Sequence, residues 1–497
     1  MSEQKITKQL DYSTSARVDP EYRLHRIPPK GGTEAVTLTT AGGAETEFDL
    51  PQRVFNLSRS TLSFNAAPPA SGANTYNYQQ MDALSYVQSI KLSTESGLDI
   101  CDISFLNNMT KIVWKPETQL EKFLTFEGHD NGTGAGKMFQ PCRVTNKLKL
   151  TDSAAEYKAA FVDGAADLNA LAGALTAAVK RPDTAARRHD DAALANGTGN
   201  ASAVSVAFTE PKYFSAGTSN NASPALKIKI NLGMIYNSIF EVDKDIMFDK
   251  ITTIKITWAP TTKIYYFGTD PLSPGGGVIT AAAGNVTISS LYLYIAMEQN
   301  QNIINAIKAK VAAGSFTFLY PNARVYRKSI NATGAQSITR KFNRTFGLRL
   351  QRVYHAAFSS NEEKSTAYDT DNRYLSTLVP PSARKIISYN TYLDTQALHE
   401  FEIKAADYED YLTNQPKLVG SVIQNSDMYK YNWFHCEDFT GSPDPLWKKD
   451  HNREAGLDLT TERTFDINMD IATVGQHYTV FVFQRRLKVS SMETTIE

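Results

Sequence analysis

The sequence predicts an all-β protein built from two consecutive antiparallel sandwiches, and three observations lead to this prediction. The chain has 497 residues, more than one hydrophobic core usually serves, so two domains are expected. Several segments alternate strictly between apolar and polar residues, which places the apolar side chains on one face of a strand. Turns rich in Gly, Pro and Asn separate these segments, and many short strands with such turns are typical of sandwiches.

The alternation is clearest at residues 226–232, where every second residue is Leu or Ile. The same pattern predicts half-buried strands at 254–258, 346–350 and 465–471. All four segments are expected to lie in antiparallel sheets with one face on a core and one in water.

Two further segments predict strands with special features. In residues 286–297 the apolar phase slips by one residue at Ser289 and Ser290, which indicates a β-bulge. Residues 478–483 are apolar almost throughout, which predicts a strand covered on both faces.

The predicted domains follow from the way each half closes, because both halves end with an alternating strand, a loop and a strongly apolar strand. A capping-box pattern at Ser153–Glu156, followed by apolar residues at helical spacing, predicts a helical insertion at 153–200 in the first sandwich. A second helix is expected at 303–311. The predicted organisation is an N-terminal arm 1–34, a first sandwich 35–300, a short helical linker 301–315, and a second sandwich with a C-terminal tail 316–497.

Charge and cysteine content argue against several classes of protein. Lys and Arg total 52, as do Asp and Glu, and a chain without basic excess is not expected to bind nucleic acid as its main role. Three dispersed cysteines, Cys101, Cys142 and Cys436, do not form a disulfide framework. The first ten residues lack the apolar core of a secretory signal, so synthesis in the cytosol or nucleus is expected.

A glycine-rich segment at 132–137 resembles a phosphate-binding loop but departs from the pattern. Asn131 occupies the first glycine position, and Met138 follows Lys137 where Ser or Thr would hold magnesium. A flexible loop is therefore the favoured interpretation.

The segment His435-Cys436-Glu437-Asp438 contains four consecutive residues of metal-binding type. Zinc ligands are usually separated by two or more residues, and consecutive side chains on a strand diverge, so a surface or interface segment is favoured. The cluster at residues 189–191 is interpreted as solvated charge. No catalytic, cofactor-binding or metal-binding residue is predicted.

The eight histidines are dispersed, and neither a Gly-x-Ser-x-Gly nor a His-Glu-x-x-His motif occurs, so the chain is expected not to be an enzyme. Paired carboxylates cannot be recognised from sequence, so a β-sandwich carbohydrate-active enzyme remains one alternative. A receptor-binding spike or tail protein is another. The aromatic residues at 429–434, together with Tyr292 and Tyr294, are expected to pack in a core or subunit interface.

Several strand-and-turn patterns resemble those of the double jelly-roll major capsid proteins, the lineage of adenovirus hexons, tailless membrane-containing phages, virophages and polinton-like viruses. They span residues 35–490, and virophage coat proteins look most similar. The patterns are Ile251–Trp258, Thr287–Tyr294, Phe318–Tyr326, Leu378–Ile386 and Phe465–Val489. The resemblance implies two consecutive eight-stranded antiparallel jelly rolls, with the helical insertion in the first as a departure from the pattern.

The resemblance also implies a function. Three copies of such a chain would form a pseudo-hexameric capsomer that tiles an icosahedral shell in the virion, after synthesis in the host cytoplasm and assembly in the cytoplasm or nucleus. The implied partners are further copies of the chain, penton and minor capsid proteins and an internal membrane, without sequence-specific nucleic-acid binding and without a cofactor. Residues 1–30, including Arg23, His25 and Arg26, would then form an arm that reaches a neighbour or the inner face, and the insertion at 153–200 would face outward.

Overall fold

A computed structural model provides the fold, and it describes the following parts of the chain: residues 20–66, 75–79, 83–117, 129–130, 215–217, 226–268, 279–281, 284–359, 386–404, 435–440, 455–472, 474–491 and 493–496. The predicted helical insertion at 153–200, the glycine-rich segment at 132–137 and the aromatic residues at 429–434 lie outside these residues.

The described residues of the first unit form eight main strands in two sheets. They are β1 Tyr22–Ile27, β2 Glu45–Leu50, β3 Phe55–Ala66, β4 Val87–Thr94, β5 Asp99–Ile103, β6 Leu226–Asn231, β7 Thr252–Trp258 and β8 Val286–Glu298. One sheet has the order β1-β8-β3-β6 and the other β2-β7-β4-β5, and all neighbours are antiparallel. This order, in which the chain passes back and forth between two facing sheets, is that of a jelly roll.

Short strands extend the first unit. Val36–Leu38 pairs with β8, Asp245–Ile246 with β3, and His129–Asp130 with β6. A separate small sheet lies in the loops that connect the two main sheets, with the order Ile279–Ala281, Tyr265–Gly268, Thr75–Gln79 and Ser215–Gly217.

The second unit repeats the same topology. Its strands are β9 Phe316–Ile330, β10 Gly334–Phe342, β11 Arg349–Ser359, β12 Ile386–Leu393, β13 Gln396–Ala397, β14 Ile403–Lys404, β15 His435–Asp438, β16 Arg463–Ile471 and β17 Gly475–Val489. The sheets have the orders β9-β17-β11-β15 and β10-β16-β12-β13. Strand β14 also pairs with β12, so β13 and β14 together correspond to β5 of the first unit. Leu457–Asp458 pairs with β11, and Thr494–Ile496 with β17. The predicted fold of two consecutive jelly rolls is confirmed.

The structure confirms most of the individual strand predictions. Strand β7 alternates between buried and half-buried residues, as its sequence pattern predicts. The register of β8 against β3 shifts between Ser289 and Tyr292, and Ser290 has a φ of 51°, so the predicted bulge is present. The predicted strand at 346–350 instead begins at Arg349, because Asn343 forms a turn in which its carbonyl oxygen accepts a hydrogen bond from the Phe346 amide.

Strand β17 is apolar on both faces because it lies between two cores. Phe481 and Phe483 pack into the core of the second jelly roll. Tyr478, Val480 and Val482 belong to a larger cluster that is continuous with the core of the first jelly roll. The prediction of a strand covered on both faces is therefore confirmed, and the two units share one hydrophobic interface.

In the described part of the chain, three α-helices accompany the sheets: α1 Leu106–Glu117, α2 Thr261–Ile264 and α3 Gln301–Ala312. Short 3-10 helices span Ala83–Tyr86, Leu232–Met234 and Ile239–Glu241. Helix α3 lies between the two units and contains the helix predicted at 303–311. No helix in the described part of the chain is long and apolar enough to span a membrane.

The sequence interpretation missed helix α1, although the signal is present. Leu106, Met109, Ile112 and Val113 follow helical spacing and are all buried. The helix lies at the junction of the two units, where the preceding residue, Phe105, has its ring centroid 5.7 Å from that of Tyr478.

Part of the segment assigned to an N-terminal arm, Tyr22–Ile27, forms the edge strand β1 in this structure. Its residues pair with β8 from Tyr22 opposite Glu298 to Ile27 opposite Leu293. The Tyr22 hydroxyl donates a 2.7 Å hydrogen bond to Asp245, which ties the start of the strand to the sheet.

Candidate functional site: a buried histidine cluster in the second jelly roll

The interior of the second jelly roll contains an unusual group of histidines. His355 on β11, His435 on β15 and His477 on β17 are fully buried on neighbouring strands of one sheet. His355 lies opposite His435 in the register of β11 and β15. His399, in the irregular segment between β13 and β14, approaches from the facing sheet and is only partly buried.

Of the four consecutive residues of metal-binding type at 435–438, strand geometry brings two together and separates the others. His435 and Glu437 are two residues apart, so both point to the same side of β15. Cys436 belongs to the hydrophobic cluster shared with the first unit, on the opposite face. Residues 435–437 do not form the surface segment that the sequence favoured, because all three are buried inside the chain. Adjacent side chains diverge as expected, but His435 and Glu437 share one face of the strand.

The Glu437 carboxylate is the centre of the cluster. Its Oε1 atom lies 2.6 Å from Nε2 of His399 and 2.8 Å from Nε2 of His435. The hydroxyl group of Thr391, on β12, donates a third hydrogen bond to the same oxygen. Glu437 is 8% exposed, so these three partners replace the water that an accessible carboxylate would have.

Tyr389 fixes the other side of His435. Its hydroxyl is hydrogen-bonded to Nδ1 of His435, and the two ring centroids are 4.2 Å apart. With Nδ1 engaged by Tyr389, the Nε2 atom of His435 is directed to Glu437. Both nitrogens of this histidine therefore have a defined role.

The two remaining histidines form a second layer next to this group. Nε2 of His477 lies 3.3 Å from Nδ1 of His355, and Nδ1 of His477 lies 3.4 Å from the Thr479 hydroxyl. Nε2 of His355 is buried without a hydrogen-bond partner among the described residues. The ring of His355 lies 5.0 Å from that of His435, so the two layers are in contact.

Burial favours the neutral form of the three fully buried histidines, His355, His435 and His477. It lowers the pKa of His435 and lowers that of His355 well below the usual value, with further lowering of the latter by His435 and His477. Burial also lowers the pKa of His477 to about 3. Burial opposes ionisation of Glu437, but the neighbouring histidines, which donate hydrogen bonds to its carboxylate, hold its pKa well below the usual range.

The arrangement has the chemistry of an ion-binding or hydrogen-bonded site. The ligand atoms of His399, His435 and Glu437 all lie within 4.8 Å of one another. The first two offer imidazole nitrogens and the third a carboxylate oxygen, and the side chains of His399 and Glu437 each keep 11% of their surface exposed.

Other residues considered from the sequence lie elsewhere. Tyr292 and Tyr294 are half-buried on β8, with ring centroids 6.4 Å apart, and the Arg26 guanidinium lies 4.3 Å from the centre of the Tyr292 ring. Cys101 is buried, which raises the pKa of its thiol to about 12, and no disulfide joins it to Cys436. The charge cluster at 189–191 is outside the described residues.

Comparisons with known proteins give structural matches only. No protein-family model and no curated protein sequence matches the chain. The Faustovirus major capsid protein is 8% identical, with 98% of this chain and 93% of that chain covered and a TM-score of 0.47. The mavirus major capsid protein is 11% identical, with coverages of 100% and 94% and a TM-score of 0.45. A chain in the cryo-EM structure of the Sputnik virophage is 11% identical, with coverages of 99% and 92% and a TM-score of 0.46. Over nearly its whole length, the chain is similar to structures that include viral major capsid proteins.

Proposed function

We propose that the chain is a viral major capsid protein that forms a shell by self-association and has no catalytic role. The observation that carries this proposal is the presence of two jelly rolls of the same topology in one chain, joined by a continuous hydrophobic core. Jelly rolls serve as capsid domains and also as lectin and cupin domains, so the pairing of two units, more than the fold itself, favours a shell protein.

Two similar units in one chain suit a particular assembly. Three copies around a threefold axis would present six jelly rolls, and the resulting capsomer would have a nearly hexagonal outline. Such capsomers can tile an icosahedral shell, with penton and minor capsid proteins at the positions that hexagonal units cannot fill. Under this proposal the protein resides in the virion, and a membrane beneath the shell is a further candidate partner.

Polar links between the units support their action as one rigid building block. Arg324 Nη1 on β9 lies 3.9 Å from an Asp102 carboxylate oxygen on β5. The Ala323 amide, also on β9, donates a 2.8 Å hydrogen bond to the carbonyl oxygen of Asn237 in the first unit. A subunit with a fixed angle between its jelly rolls would give capsomers of constant shape.

The predicted insertion at 153–200 is assigned to the outer surface of the shell in this proposal. Ser215–Gly217, which follows the insertion in sequence, pairs with Thr75–Gln79 in the small sheet formed by the connecting loops of the first unit. A large insertion is best tolerated at such a loop end, because it leaves the packed sheets intact. Limited proteolysis of intact particles should then cleave within 153–200.

Size-exclusion chromatography with light scattering tests the proposed oligomer. The purified chain should elute with three times the mass of a single chain, independent of dilution over the micromolar range. A monomer at all concentrations would overturn the proposal, as would hydrolysis of glycans by the purified protein.

A further inference from the structure

We infer that His399, His435 and Glu437 form a binding site for a divalent transition-metal ion, with Zn²⁺ as the ion whose ligand preferences fit best. Two imidazole Nε2 atoms and one carboxylate lie within 4.8 Å of one another, in the part of the chain that the structure describes. Zinc sites with three protein ligands of this kind leave a fourth position for water or another ligand. Calcium and magnesium prefer oxygen ligands, so two histidines favour a transition metal.

The surroundings of the three residues orient them as ligands. Metal-binding histidines usually form a hydrogen bond through the ring nitrogen that does not bind the metal, and ligating carboxylates are themselves hydrogen-bonded. Tyr389 takes this role at Nδ1 of His435, and Thr391 takes it at the carboxylate of Glu437. If apolar side chains occupied positions 435 and 437, neither hydrogen bond would form.

The geometry requires only a small adjustment. The Glu437 Oε1 atom lies 2.6 Å and 2.8 Å from the two Nε2 atoms. Tetrahedral zinc with ligand bonds of about 2.0–2.1 Å separates its ligand atoms by roughly 3.3 Å. An ion would therefore replace the protons in these hydrogen bonds and lengthen the two separations by about 0.7 Å at His399 and about 0.5 Å at His435.

His399 is the ligand best able to make this adjustment. It lies in the irregular segment between β13 and β14, whereas His435 and Glu437 are held in a strand paired with β11. The His399 and Glu437 side chains each keep 11% of their surface exposed, and that of His435 keeps none. The site thus combines two ligands held in a strand with one in an irregular segment, and it opens to the surface on the side of His399 and Glu437.

The alternative is a cluster held together by hydrogen bonds alone, and metal binding distinguishes the two. The full-length protein, dialysed against a chelator, is titrated with Zn²⁺ in competition with a chromophoric chelator, and its metal content is measured by mass spectrometry. We expect one ion per chain, a rise in the unfolding temperature on adding Zn²⁺, and the visible absorption bands of four-coordinate Co²⁺ when cobalt replaces zinc. Binding of less than a tenth of an ion per chain, or no change in unfolding temperature, would show that hydrogen bonds alone hold the cluster.

Variants locate the site. His399→Ala changes a partly exposed residue and should keep the fold, as checked by circular dichroism, while lowering zinc affinity at least tenfold. Glu437→Gln should have the same effect, and Tyr389→Phe should lower affinity by about 10–100-fold, as expected for a residue that orients a ligand. His25→Ala, on β1 in the first unit, is the control and should bind zinc as the unaltered chain does. Equal affinity in His399→Ala, Glu437→Gln and the unaltered chain would overturn the assignment.

Discussion

The hydroxyl group of Tyr320, on strand β9, donates a 2.9 Å hydrogen bond to the carbonyl oxygen of Ile100, on strand β5. The two residues belong to different jelly rolls, and both are fully buried. This contact therefore links the two units across their shared hydrophobic interface, where water cannot replace a missing partner.

Replacing Tyr320 with Phe should destabilise the whole chain. The ring is retained, but the Ile100 carbonyl loses a donor in a buried position, so the free energy of unfolding should fall by about 1–3 kcal/mol. Denaturant unfolding followed by circular dichroism measures the change. Tyr294→Phe, at a half-buried position on β8, is the matched control and should change stability by less than about 0.5 kcal/mol. Equal losses in the two variants would contradict the assigned role of the contact.

Gly456 should tolerate no side chain. Its φ is +122°, and an added Cβ atom would lie 2.5 Å from the Leu350 carbonyl oxygen. Gly456→Ala should lower the free energy of unfolding by more than Gly334→Ala, since Gly334 also has a positive φ, +97°, but open space around its Cβ position. Gly334→Ala, the control, should lower the free energy of unfolding only by the cost of the strained backbone conformation, about 1–3 kcal/mol. Similar unfolding midpoints for the two variants would rule out the clash.

Lowering the pH should reduce the stability of the second jelly roll, because His477 accepts a proton more readily in the unfolded chain than in the folded one. The pKa of this histidine is about 3 in the folded chain because of burial, whereas an unfolded chain has its usual value near 6.5. Above pH 6.5 the residue is neutral in both states. As the pH falls from 6.5 to about 3, only the unfolded state binds the proton, so the free energy of unfolding should fall by up to about 1.4 kcal/mol per pH unit.

His477→Gln provides the comparison for this pH dependence. The variant lacks the ionisation, so its stability should decrease less steeply over the same pH range, while His355 and His435 still contribute. Denaturant midpoints at several pH values measure both slopes. Parallel curves for the variant and the unaltered chain would show that His477 does not cause the effect.

Residues 1–19 should matter for the assembly of shells and not for the folding of the subunit. Because β1 begins at Tyr22, deletion of residues 1–19 leaves the edge strand paired with β8 and should not change the unfolding temperature of the subunit. Under the proposed function, this truncation should still impair formation of shells. Deletion of residues 1–28 removes β1 as well and should lower the unfolding temperature. Normal shells from the shorter truncation would contradict an arm that reaches neighbouring subunits.

The sequence predicted those features of the fold that depend on local pattern. The slip at Ser289 and Ser290 indicated the bulge of β8, and the apolar run at 478–483 indicated a doubly covered strand. The pairing order of the strands was beyond local pattern, because it joins distant residues such as Tyr22 and Glu298. For that part the resemblance to capsid proteins was needed.

The candidate site was missed for a related reason. The spacing of His435 and Glu437 places both on one face of a strand, and this could have been recognised. Their approach to His399 depends on the folding of a separate segment, β13 to β14, against the facing sheet. Helix α1 was missed although its apolar residues follow helical spacing, and the structure also buries the polar residues Asn107 and Asn108 in this helix.

The central claim is that two jelly rolls in one chain form the building block of a shell, and electron microscopy of the purified, concentrated protein tests it most directly. The proposal predicts closed or curved particles whose surface is a lattice of nearly hexagonal capsomers, each formed by three chains. Dispersed single subunits under every assembly condition, or fibres without hexagonal capsomers, would contradict it.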